Sequence, residues 1–192
     1  ISTRPDYLPQ RHLDYLEELS KEYFVTVEIG LQTPNYHSLK KLNRGHGLSE
    51  FIDAVLKLKK RNINVCTHII IGLPWDDNLD IVECAKILNV LDIDEVKIHA
   101  LYILKDTALG DMYEKEEIKP ISLKDYENKV ILFLRNLKVD IIVERIIGRA
   151  PYKNSLFCNW NTSWWKIRDE IVMKMQENGY TQGDLVKGEI LW

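Results

Sequence analysis

Three stretches of the chain, residues 25–30, 65–72 and 95–103, set bulky apolar residues against smaller or polar ones at alternating positions. Successive side chains of a strand point to opposite faces, so each stretch divides into two rows. One row is apolar throughout: Val25, Val27 and Ile29, then Ile69 and Ile71, then Val96, Ile98 and Ala100. The other row holds Thr26, Glu28 and Gly30, then Cys66, His68 and Ile70, then Lys97, His99 and Leu101. Between the stretches the apolar period lengthens to that of a helix. Leu13, Leu16 and Leu19 predict a helix from Pro9 to about Tyr23. Phe51, Ile52, Val55, Leu56 and Leu58 predict one broad inward face on a helix from about Ser49 to Arg61, with Asp53 and Lys57 as an i,i+4 pair outside it. Asp77 is the expected N-cap of a third helix that turns Ile81, Val82, Ala85 and Leu88 inward.

Strands separated by amphipathic helices predict an α/β fold, a parallel sheet with its helices on the apolar face. If that sheet curls, the polar row faces a lumen. Ligands in barrel-like β/α folds bind at the C-terminal strand ends, where Gln32, the Gly72-Leu73-Pro74 turn and residues 101–105 fall. Beyond the third strand, polar residues 105–119 break the periodicity. Ser122 then opens a helix with Leu123, Tyr126, Val130, Phe133, Leu134 and Leu137 on its inner face, and a further strand is expected from Asp140 to Ile147. Residues 148–161 read as a basic and aromatic loop. Thr162 or Ser163 caps a last helix that ends near Asn178-Gly179, a pair suited to a left-handed C-cap. Residues 1–147 are thus expected to form the barrel-like unit, and 148–192 a loop and helix packed on it.

A length of 192 residues with 45% hydrophobic content is enough for one sizeable core. The net charge of −3 is not that of a dedicated binder of polyanions. No apolar run approaches the roughly 20 residues that span a bilayer, so no membrane partner is expected and a cytoplasmic location is. Cys66, Cys84 and Cys158 have neither metal-ligand spacing nor the even count of a disulfide framework. Ile1 stands where an initiator methionine would, and residues 1–6 read as the tail of a strand entering a helix, so a longer parent protein is expected.

The polar row supplies the candidate chemistry. Glu28, His68, Lys97 and His99 come from three strands, and an unpaired buried charge costs several kcal/mol, so Glu28 and Lys97 need partners or a ligand. The bland alternative is a structural ion pair in a wet barrel mouth. A second constellation runs from Gln32 to Arg44, which precedes Gly45-His46-Gly47. A guanidinium suits a carboxylate, an amide suits a ribose or base edge, and glycines let backbone approach a ligand. The alternative there is a capping loop with a solvated arginine. Trp160, Trp164 and Trp165 would stack bases if exposed, although packing of the last helix is the favoured role. Two functions follow from these residues alone: a metal-dependent β/α-barrel hydrolase with Glu28, His68 and His99 as ligands, or an RNA-binding module using Arg44, Lys153 and the tryptophans.

Taken in order, STRPD at Ser2 to Asp6, EIGLQT at Glu28 to Thr33, NRGH at Asn43 to His46, CTHIIIGLP at Cys66 to Pro74 and KIHALYILK at Lys97 to Lys105 resemble the C-terminal two thirds of a radical SAM enzyme. More narrowly, the chain resembles the bacterial YhcC-type branch, akin to elongator-type and coproporphyrinogen-dehydrogenase-type members. The resemblance implies a partial (β/α) barrel of the radical SAM type, with parallel strands and outer helices. It also implies S-adenosylmethionine and a [4Fe-4S] cluster in the parent protein, a flavodoxin or ferredoxin as reductant, and a substrate such as tRNA or a tetrapyrrole precursor. Carried onto this sequence, Gln32 approaches the ribose and Arg44 the methionine carboxylate. The edge of Ile70 and Gly72 meets the adenine, His99 and Leu101 line the adenine or substrate side, and Glu28 and His68 face the same lumen. Two departures stand out. The C-x-x-x-C-x-x-C loop that holds the cluster is not in this sequence, and Trp75-Asp76 stands where the family often has Gly-Glu. The chain alone is therefore expected to hold no cluster and to be inactive, and its open sheet edge to favour a dimer.

Overall fold

The structure, a computed structural model, describes residues 1–149 and 153–186. In chain order its elements are β1 (Ser2–Thr3), α1 (Gln10–Ser20), β2 (Thr26–Gln32), α2 (Tyr36–Lys41), α3 (Leu48–Lys59), β3 (Asn64–Ile71) and α4 (Asn78–Val90). There follow β4 (Glu95–Ala100), β5 (Ile103–Leu104), α5 (Ala108–Glu114), α6 (Leu123–Asn136), β6 (Ile142–Arg145), β7 (Ser155–Phe157) and α7 (Trp164–Glu177). The main sheet has five strands in the order β1-β2-β3-β4-β6, and every neighbouring pair is parallel. Helices join consecutive strands, which gives the parallel α/β arrangement that the alternation predicts and agrees with the partial barrel that the resemblance implies.

The apolar row is the core. Val27, Ile29, Val65, Ile69, Ile71, Val96 and Ile98 are buried, and Phe51, Val55 and Leu58 of α3, Ala85 and Leu88 of α4, and Tyr126, Val130 and Phe133 of α6 belong to the same cluster. Each fully buried side chain of this size contributes about 1.5–3 kcal/mol. Caps fix where the helices begin: Asp77 Oδ1 accepts from the amides of Leu79 and Asp80, and Ser122 Oγ accepts from Asp125.

Several boundaries differ from the sequence expectation. The inner face of α3 is Phe51, Ala54, Val55 and Leu58, while Leu56 turns outward and is 56% exposed. Helix α1 stops at Ser20, short of Tyr23. Strand β4 ends at Ala100, because the chain turns at Leu101-Tyr102 and Ile103 leaves to pair antiparallel with Phe157 of β7. Two short helices, α2 and α5, occupy segments with too few turns for a periodic pattern; the side chains of Asn35 and Thr107 cap them.

Helix α7 packs on the main core. Ile167 and Ile171 of α7 are buried in the common core, and Lys174 reaches Glu127 of α6 at 2.5 Å. Trp160 lies against Tyr126 with ring centroids 4.9 Å apart and donates its indole N–H to the Ile121 carbonyl at 2.8 Å. That is a packing role, as favoured from sequence; Trp165 is the exposed member of the cluster, at 46%. The helix is followed by Gly179 in the left-handed region, at φ 68°. Among the described residues no helix is long and apolar enough to cross a membrane.

Candidate functional site

The face of the sheet opposite the core carries a connected row of charged side chains. Parallel register sets His68 opposite Lys97 and Ile70 opposite His99. Glu28 on β2 receives Lys97 Nζ at 2.8 Å and meets His68 Nε2 at 2.6 Å. His68 Nδ1 lies 3.1 Å from His99 Nε2, and Arg145 Nη2 lies 2.7 Å from the same His99 nitrogen. Lys97 also contacts Glu144 at 2.9 Å.

Donor and acceptor rules fix the protons in this chain. Arginine only donates, so His99 Nε2 accepts from Arg145. Ionised Glu28 accepts from His68 Nε2, and with the lone pair of His99 Nε2 taken by Arg145, His68 Nδ1 lies beside it as the two rings stack. The surroundings agree. Hydrogen bonds from Lys97 and then His68 hold Glu28 down to about 2, against the opposing effect of burial. Burial, then the charge of Arg145 and of His68, push His99 down to about 4. Burial works against the charge of Lys97, yet its bonds to Glu28 and Glu144 leave its pKa raised.

Arg145 and Glu144 were not expected in the site. Val96 pairs with Val143 but Lys97 pairs with Arg145, a bulge that inserts Glu144 as an extra residue. Strict alternation would send Arg145 to the core face; the bulge turns it back to the polar one. Below them, at the N-terminal end of the sheet, Cys66, Glu95 and Glu144 form the trio of metal-ligand types among the described residues whose atoms lie within 4.8 Å of one another. Burial and the neighbouring Glu144 raise Glu95, whereas Lys97 and Glu95 lower Glu144. Burial pushes the Cys66 thiol up to about 12. Glu28, His68 and His99 do not converge as ligands on one point, since both nitrogens of His68 are engaged by the other two.

A second constellation sits at the C-terminal end of β2. Gly30 pairs with His68 but Gln32 pairs with Ile69, and Gln32 adopts a left-handed φ of 69°. This bulge folds the Gln32 amide back over Gly30. A Cβ at position 30 would stand 2.2 Å from Gln32 Nε2 and 3.1 Å from Arg44 Nη2. The two side chains expected from sequence therefore both lie over the bare backbone of Gly30. His46, buried, bonds the Gly30 carbonyl through Nε2 at 3.0 Å and lies 3.4 Å from Arg44. Behind them, buried Asp76 accepts from Ser38 and receives Lys129 on its carbonyl, tying the start of α2 to the turn after β3.

These residues fit the amino-acid end and sugar of an adenosyl cofactor. Arg44 Nε is buried without a partner, and burial, reinforced by nearby Arg4, disfavours its charge; an incoming carboxylate would relieve both. Ile70 lies in β3 and Gly72 just past its end, where, at φ 98°, it turns the chain under Ile121 and Tyr126. Leu101 is buried with Leu73, Ile103 and Ile118 in a separate apolar cluster that Ile70 also touches. The cysteines do not fit an iron–sulfur cluster. Cys66 lies on the polar face, Cys84 belongs to the core on the opposite face, and Cys158 follows β7.

Comparison with known proteins gives a consistent result. Residues 1–88 match the radical SAM superfamily, and residues 93–177 match the radical SAM C-terminal domain. YtqA of Bacillus subtilis is 37% identical over 183 residues, which are 95% of this chain and 57% of that protein. YhcC of Escherichia coli is 28% identical over 180 residues, 93% of this chain and 58% of its own. The tRNA uridine(34) acetyltransferase of Methanocaldococcus jannaschii is 31% identical over 123 residues, 62% of this chain and 22% of its own. An archaeal Elp3 structure from Methanocaldococcus infernus superposes with a TM-score of 0.83 at 23% identity, over 95% of this chain and 42% of that one. The chain thus spans less than three fifths of the length of YtqA and YhcC.

Proposed function

This chain belongs to the radical SAM superfamily, and from that premise we propose that it forms part of the catalytic barrel of a longer S-adenosylmethionine enzyme of the YhcC type. The polar face of β2, β3 and β4 is its reaction chamber. The observation that carries this reading is that Gln32 and Arg44 both lie over Gly30, with Arg44 Nε buried and unsatisfied. Arg44 binds the methionine carboxylate, Gln32 a ribose hydroxyl, and the edge from Ile70 to Gly72 the adenine. His99 and Leu101 flank the adenine or the substrate. Glu28 fixes the orientation of His68 at the side of the chamber.

When bound, S-adenosylmethionine and a [4Fe-4S] cluster supply reductive cleavage of a C–S bond. The cluster ligands belong to the parent polypeptide, since the cysteines of this chain lie on different faces of the sheet. The substrate reading best supported is tRNA, because a relative with that name in its activity shares 123 aligned residues. The edges of the sheet, β1 and β6, offer backbone groups to a second copy of the chain, and light scattering across concentration tests for that dimer.

The decisive assay uses the parent protein, reconstituted with iron and sulfide without oxygen and reduced by a flavodoxin. Formation of 5′-deoxyadenosine, lost in Arg44→Ala, supports the assignment. A fully loaded cluster with no S-adenosylmethionine binding and no such product overturns it.

A further inference from the structure

The row of charges on the polar face is paired with one exception. Glu28 serves Lys97 and His68, and Glu144 serves Lys97. Arg145 has no carboxylate partner among the described residues: its Nη2 meets the neutral imidazole of His99, and its Nε is buried without a partner. A guanidinium has five N–H groups and cannot give up its charge. Holding it half-buried against an imidazole is costly unless an anion completes it.

Its neighbours do not supply that anion. The Tyr102 hydroxyl is committed to the Gly148 carbonyl at 2.7 Å, and a Cβ on Gly148 would come within 3.0 Å of that hydroxyl and 3.3 Å of His99 Nδ1. That Cβ would also stand 3.9 Å from Arg145 Cζ, so the glycine leaves no side chain of its own over the guanidinium. Nor is Arg145 a second grip on the cofactor. Strands β2, β3, β4 and β6 stand in that order, so at roughly 4.8 Å per step the strand of Arg145 is about 14 Å from the strand that positions Arg44. S-adenosylmethionine has a single carboxylate, which the reading above gives to Arg44.

We propose that Arg145 is an oxyanion subsite for the substrate, taking one carboxylate or phosphate group through its Nε–H and free Nη–H edge, while His99 holds the guanidinium in place. This rests on the polar face being the reaction chamber. A planar fork suits either oxyanion bidentately, and the test separates the two sources.

The ¹⁵N-labelled 192-residue chain is titrated with inorganic phosphate and, separately, acetate at constant ionic strength, following the Arg145 Nε–H and His99 ring signals. At least one anion should give a saturable shift, and the tighter of the two names the group carried by the substrate. Arg145→Lys, which keeps the charge but loses the fork, should weaken it about tenfold or more, while Arg44→Lys leaves it unchanged. Titrations identical in wild type and Arg145→Lys, or an Arg145 signal that neither anion moves, overturn the proposal. S-adenosylmethionine binding is measured on the same samples. Its loss with anion binding intact would count against the cofactor assignment alone, and the reverse against Arg145 alone.

Discussion

Replacing His99 with glutamine should flatten the dependence of stability on pH between 7 and 5. His99 sits between Arg145 and His68, at 2.7 and 3.1 Å, and its pKa falls from an ordinary 6.5 to about 4 through burial and then the adjacent guanidinium. The unfolded chain takes up a proton on this residue near 6.5, whereas the folded chain resists until about 4. The folded state is thus favoured in full above about 6.5 and loses that advantage as pH falls towards 4. Integrated from pH 7 to pH 5, linkage gives a loss of about 2 kcal/mol from this one group. Glutamine keeps an acceptor for Arg145 but cannot titrate. Urea unfolding followed by tryptophan fluorescence, at both pH values, gives four free energies whose double difference cancels the other titrating groups. Wild type should lose about 2 kcal/mol more than His99→Gln. Equal losses would refute the neutral, guanidinium-capped imidazole.

Other expectations follow from the same geometry. Glu28→Gln strips the shared anion from Lys97 and His68, so unfolding should cost about 2 kcal/mol less; an unchanged urea midpoint would count against the network. Gly30→Ala should leave stability within about 1 kcal/mol, because the obstructing atoms are flexible side-chain ends, yet it should abolish S-adenosylmethionine binding by displacing Gln32 and Arg44. Gly110→Ala places a Cβ 2.4 Å from the Leu104 carbonyl oxygen, a backbone clash that should lower stability by about 1–3 kcal/mol. Reconstitution of the 192-residue chain with iron and sulfide should leave it without a stoichiometric cluster, and iron analysis at one cluster per chain would contradict that.

The two rows of each strand were legible because a strand has a period of two and the core accepts only the apolar row. Glu28, His68, Lys97 and His99 came together as that alternation required. Gln32 and Arg44 converge because of a bulge and a left-handed residue, which no periodic pattern encodes; the motif resemblance brought them in. Arg145 escaped for the same reason, since only the extra residue at Glu144 returns it to the polar face. Leu56 was misplaced because a run of apolar residues does not reveal which of them the helix turns outward. The packing of Leu101 with Leu73 and Ile103, beside Ile70, comes from the turn after Ala100, which a period of two does not foretell.

The central claim is that the adenosyl cofactor lies over the C-terminal ends of β2 and β3, held by Gln32 and Arg44. Titration of S-adenosylmethionine into the ¹⁵N-labelled chain tests it most directly, because backbone shifts locate the ligand without requiring turnover. The account predicts saturable shifts at Gly30, Gln32, Arg44, Ile70 and Gly72, and about tenfold weaker binding in Arg44→Ala. Saturable shifts confined to other parts of the surface, or an affinity that Arg44→Ala leaves unchanged, would contradict it.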